Sequence, residues 1–175
     1  KALDLSQSSA IELFDLNIKG SKNFKNLKNA DVVIVTAGFQ RRPGMTRDDL
    51  VEKNSFIIQK VGKEIKKNCS KAFVICITNP LDVIVMAFQK YSQLPTHKVV
   101  GMAGILDSSR FKHFLSQDLN IAAKSIETLV LGGHGDTMVP MLNHTTVGGK
   151  SLKTLVKENK INEEKLATIV EKTRK

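Results

Sequence analysis

Apolar residues in this chain recur at helical spacing, then in short unbroken runs, and then at helical spacing again. The stretch 1–14 places Leu3, Leu5, Ala10, Ile11 and Phe14 in a helical pattern. A polar, glycine-containing stretch follows, with a short strand expected at 17–19. "ADVVIVTAG" (30–38) is a continuous β-branched run closed by Gly38, which predicts a strand buried on both faces. "FQRRPGMTRDD" is a polar loop broken by Pro43 and Gly44. Thr46 is placed to cap a long helix ending near residue 68, with Asp48 and Asp49 in its first turn. A second buried strand is expected at 71–78. Pro80 closes it and suits the first turn of a helix reaching about residue 91. A third strand is expected at 98–101, followed by a helix at 105–120 with Phe111, Phe114, Leu115 and Leu119 on one face.

Strand, long helix, strand, helix, strand is the alternation of a doubly wound parallel sheet. The pattern then changes. "SIETLVLGGHGDTMVPMLNHTTVGG" reads as two antiparallel strands around a glycine turn. Two amphipathic helices close the chain, the second capped by Asn162 with Glu163 and Glu164 behind it. The expected fold class is therefore α/β: part of a doubly wound parallel sheet over 1–102, then the first part of a mixed α+β domain over 103–175.

Composition narrows the choices. Of the 175 residues, 41% are hydrophobic, enough for a packed core. No apolar run reaches the ~18 residues that span a bilayer, and the first residues lack the layout of a signal peptide. A cytoplasmic protein with no membrane partner is expected. Cys69 and Cys76 lack zinc-ligand spacing and read as reduced structural thiols, so no metal is expected. The net charge of +10 invites a nucleic-acid-binding reading. Against it, the 22 lysines are scattered, and one tyrosine with no tryptophan offers few stacking platforms. The five arginines behave differently, because three of them fall at 41, 42 and 47.

Ligands of open α/β sheets bind beyond the carboxyl ends of the strands. The polar residues there are Thr36, Ala37 and Gly38, then Thr78, Asn79 and Pro80, then Gly101, and they form one rim. Arg41 and Arg47 flank Pro43-Gly44 in the loop that leaves this rim, and Arg110 stands early in the helix after the third strand. One arginine there reads as a solvated charge. Three make a cationic clamp for carboxylate or phosphate. In "GGHGDTMVP", glycines strip side chains from both sides of His134, which suits either an exposed turn or close approach of a ligand. A carboxylate at its Nδ1 would fix the tautomer. Asp107 and Asp136 compete for that place.

"TAGFQRRPGMTRDDLVEKN", "TNPLDVIVM", "GMAGILDSSRF" and "GGHGDTMVP", in this order, resemble the lactate/malate dehydrogenase family, most closely its malate dehydrogenases that are built like lactate dehydrogenase. The likeness covers nearly the whole chain. It implies a Rossmann sheet that binds NAD and a catalytic domain beside it. It further implies His134 as acid/base, Asp107 as its carboxylate partner and Arg110 as the fork for the substrate's C1 carboxylate. Arg47 would be the mobile-loop arginine that polarises the C2 carbonyl. Arg41 falls where malate-specific members carry arginine and typical lactate enzymes carry glutamine, so a dicarboxylate, malate or oxaloacetate, is implied. Arg42 would face solvent.

Asn79 would contact substrate and nicotinamide, and Thr36, Ala37 and Gly38 the adenosine and pyrophosphate side. Asn54, Ile77 and Thr78 match further cofactor contacts, although Ile77 and Thr78 read equally well as strand packing. Relatives of this kind assemble through the helix matching 1–14, which implies a homodimer or homotetramer. They also begin with a strand and a G-x-G-x-x-G turn that this sequence does not contain. The expectation is an internal fragment, inactive alone, with NAD rather than NADP resting on resemblance. Lactate dehydrogenase is the near alternative. An inactive assembly partner and a basic binding module are the distant ones.

Overall fold

The computed structural model describes residues 1–174, the side chain of Arg47 excepted. Three parallel strands, β1 (Val32–Val35), β2 (Phe73–Cys76) and β3 (Val99–Gly101), form a sheet in the order β1-β2-β3. Val35 pairs with Cys76, and Cys76 with Gly101, so the three carboxyl ends share one edge. Helices α2 (Arg47–Asn68) and α3 (Leu81–Ser92) connect them as parallel crossovers.

Alternation decides which side chains are covered. Val35, Val74, Cys76 and Val99 face α2 and α3 and form a core with Ile58, Ile65, Ile84 and Phe88. Each large apolar side chain fully buried there contributes about 1.5–3 kcal/mol before ordering entropy is subtracted. The opposite face corrects the expectation of a strand buried on both sides. Val32 and Ile34 are 56% and 60% exposed, because both helices pack on one face of the sheet.

Helix α1 (Ala2–Glu12) buries none of its residues and leaves Leu3, Leu5 and Ile11 exposed. The strand expected at 17–19 does not form. That segment has no ladder partner among the described residues, and an isolated extended chain gains nothing from β propensity. Thr46 caps α2 as its sequence predicts: its hydroxyl accepts the Asp49 amide at 3.1 Å, and the Asp49 carboxylate accepts the Thr46 amide at 2.9 Å.

The second part is built on α4 (Gly104–Leu119), whose Phe111 and Leu115 are fully buried. Strands β5 (Val130–Gly132) and β6 (Met138–Pro140) make the expected antiparallel hairpin around the glycine turn. A further antiparallel sheet was not legible from the pattern. It joins β4 (Ile126–Glu127), β7 (Thr146–Val147) and β8 (Lys150–Ser151), which are two-residue strands too short to show a period. Helices α5 (Leu152–Lys157) and α6 (Glu163–Arg174) close this core through Leu152, Leu155 and Ile169, and Asn162 Oδ1 accepts the Lys165 amide at 2.7 Å.

Candidate active site

The rim begins with a braced turn. Beyond β1 the chain leaves the sheet at Thr36, Ala37 and Gly38, all exposed. Thr78, buried at the end of the next strand segment, donates its hydroxyl to the Ala37 carbonyl at 2.8 Å. Asn54 rises from α2 beneath both segments. Its Oδ1 accepts the Phe39 amide at 2.7 Å, and its Nδ2 donates to the Asn79 carbonyl at 2.6 Å. Gly38 is needed at this crowded point, since a Cβ there would lie 2.5 Å from Thr78 Cγ2 and 3.2 Å from Asn54 Oδ1. Asn54 is 0% exposed and its amide is spent on main chain. What it touches in this structure is the backbone of the rim. The Asn79–Pro80 peptide is cis.

His134 sits in the β5–β6 turn, where Gly132 adopts φ 87° and the Met138 amide donates to the Gly135 carbonyl at 3.1 Å. Its Nδ1 lies 2.9 Å from Asp107 Oδ2. Of the two carboxylates that compete on sequence grounds, Asp107 makes this contact. Asp107 stands in the first turn of α4, with its amide donating to the Ala103 carbonyl at 3.2 Å, and it is only 2% exposed. An ionised carboxylate accepts and cannot donate. Opposite an ionised Asp107 it is Nδ1 that donates, and in the neutral imidazole Nε2 then keeps its lone pair. A second carboxylate also reaches the turn: Asp82 Oδ2 accepts the His134 amide at 3.3 Å.

A cavity of about 830 Å³ connects the rim to this histidine. Thr36, Gly38, Arg41, Asn79, Arg110 and His134 all line it. Ile77, half-buried, and Thr78 line it too, so each both packs and faces the cleft. Arg41 is exposed, its Nε donating to the Met45 carbonyl at 3.4 Å, and Arg42 faces solvent as expected. The Arg47 side chain lies outside the described residues; its backbone opens α2. Asp82 was assigned no role by sequence reasoning. Its place at a strand-end rim was the available signal.

Strand-end rim, histidine–carboxylate pair and arginines thus meet in a protein that joins a Rossmann-like parallel sheet to a mixed α/β unit. The chain belongs to the lactate/malate dehydrogenase family: residues 1–101 match the model of its NAD binding domain, and residues 105–175 match that of its alpha/beta C-terminal domain. The malate dehydrogenase of Pelagibacter ubique (strain HTCC1062) is 59% identical over 174 residues, which cover 99% of this chain and 54% of that protein. The crystal structure of malate dehydrogenase from Plasmodium falciparum is similar at a TM-score of 0.90 and 45% identity, covering 99% of this chain and 55% of that one. Lactate dehydrogenase from Cryptosporidium parvum, complexed with lactic acid and β-nicotinamide adenine dinucleotide, is similar at 0.89 and 43%, with coverage of 99% and 55%. The chain spans about half the length of the curated relatives it matches. Among the described residues, no helix is long and apolar enough to cross a membrane.

Proposed function

We propose that the protein containing this chain is an NAD-dependent malate dehydrogenase, interconverting (S)-malate and oxaloacetate. The observation that carries this reading is the 2.9 Å His134–Asp107 pair opening on the same cavity as Arg41 and Arg110. In this reading residues 1–102 serve the cofactor and 103–175 supply the acid/base.

The residues present fit NAD. Thr36 and Gly38 offer exposed strand-end backbone for its adenosine and pyrophosphate side, and Asn79, which lines the same cleft as His134, is placed for the nicotinamide. Bound NAD supplies the hydride acceptor, and NADH the donor. With its Nδ1–H held by Asp107, His134 takes the malate hydroxyl proton at Nε2 and returns it in the reverse direction. Asp107 stabilises the imidazolium that forms. Arg110 grips the C1 carboxylate as a planar fork. Arg47, from the loop side, polarises the C2 carbonyl. Asn79 donates a hydrogen bond to the substrate oxygen.

Arg41 decides between substrates. A second carboxylate needs a positive partner, whereas a methyl group would leave the guanidinium desolvated and unpaired. Similarity to solved structures does not separate the two, because a malate and a lactate dehydrogenase match nearly equally well. Arg41 and the names of the curated relatives favour malate. The exposed Leu3, Leu5 and Ile11 of α1 support assembly into a homodimer or homotetramer. Steady-state rates of the full-length protein with NADH and either oxaloacetate or pyruvate test the reading. A large preference for oxaloacetate is expected, and a preference for pyruvate overturns it.

A further inference from the structure

We propose that Asp82 is a positioning residue for His134, acting on its main chain while Asp107 acts on its ring. The inference rests on the acid/base reading of His134 given above. Asp82 belongs to the first turn of α3, immediately beyond the Asn79–Pro80 rim, in the segment matching the NAD-binding model. His134 belongs to the segment matching the C-terminal model. The bond from the His134 amide to Asp82 Oδ2 therefore ties the histidine turn directly to the cofactor rim, across 52 residues of chain.

A separate observation points the same way. A Cβ on Gly133 would stand 3.1 Å from Asp82 Oδ2 and would overlap Thr137 Oγ1. The glycine before the histidine thus keeps open the path by which the carboxylate reaches the turn. Asp82 lines the cavity that Arg41, Arg110 and Arg174 also line, together with Asp48 and Asp136. Its carboxylate is held there as the acceptor of the His134 amide. Two anchors, one on Nδ1 and one on the amide, fix both the rotation and the position of the imidazole. A displacement of about 1 Å in such a group lowers turnover about 100-fold.

The test uses the full-length protein with Asp82→Ala and Asp82→Asn. Asp82→Ala is expected to lower kcat about 10- to 100-fold while the NADH dissociation constant stays within about twofold. Asp82→Asn keeps an acceptor oxygen and is expected to restore kcat to within about threefold of wild type. A residue that serves only the fold would lower Tm in both variants and leave kcat per folded site unchanged. Wild-type kcat in Asp82→Ala, or equal loss in both variants, overturns the proposal. Should Asp82→Ala fail to fold, hydrogen exchange at the wild-type His134 amide decides: slowed exchange supports the contact, and exchange at the free-peptide rate refutes it. If wild-type protein does not reduce oxaloacetate, the functional reading fails, and the exchange measurement still judges the Asp82 contact separately.

Discussion

Asn54 Nδ2 donates to the Asn79 carbonyl at 2.6 Å, joining α2 to the end of the second strand segment across 25 residues of chain. Its Oδ1 holds the Phe39 amide at the same time, so one fully buried amide sets the spacing of two rim segments. Truncating it leaves the part-buried Phe39 amide and Asn79 carbonyl without this partner. Asn54→Ala should therefore destabilise the protein by about 2–4 kcal/mol, read as a lower urea midpoint. A change below about 0.5 kcal/mol would show that the two backbone groups find other partners.

Gly133 offers a different probe of the histidine turn. An added methyl overlaps Thr137 Oγ1 and crowds Asp82 Oδ2, so the side chains that hold the turn must shift. Gly133→Ala should lower kcat about 10-fold or more with NADH affinity nearly intact. Normal turnover in this variant would mean that the turn yields without moving the imidazole.

Substrate choice is assigned to Arg41. Arg41→Gln should lower kcat/KM for oxaloacetate by about 100-fold or more, because the far carboxylate loses its charged partner, and should raise the pyruvate-to-oxaloacetate ratio. An unchanged ratio would place the specificity elsewhere in the loop.

The thiols give a pH-dependent expectation. Burial pushes the Cys76 thiol up to about 11, and burial raises Cys69 in the same direction. A raised thiol pKa means the neutral form persists through physiological pH, and the thiolate is the reactive species. At about pH 8 neither residue should react quickly with a disulfide reagent in the native state, whereas both should react after unfolding. Rapid native labelling of Cys76, mapped by mass, would contradict the packing described for β2.

The parallel half of the fold was legible because its signals are local and agree: β-branched runs, a capping box at Thr46 and Asp49, and Pro80 at the start of α3. The exposed face of β1 was not, since "VVIV" reads the same whether one or both faces are covered. The sheet β4-β7-β8 was hidden by strands too short for alternation to show. At the site, family motifs pointed to His134, Asp107, Arg41 and Arg110, and the structure pairs His134 with Asp107 and lines one cavity with His134 and the two arginines. What spacing in sequence could not convey was which polar residue touches what. Asn54 carries a motif position and is buried against backbone, and Asp82, whose one signal was its place just beyond the strand-end rim, reaches the His134 amide.

The central claim, that His134 exchanges the substrate proton, is tested most directly by His134→Asn in the full-length protein, with turnover and NADH binding measured on the same preparation. Loss of oxaloacetate reduction by at least about 1,000-fold, with the NADH dissociation constant within about threefold of wild type, is the predicted result. Substantial residual turnover, or a parallel collapse of NADH binding, would contradict it.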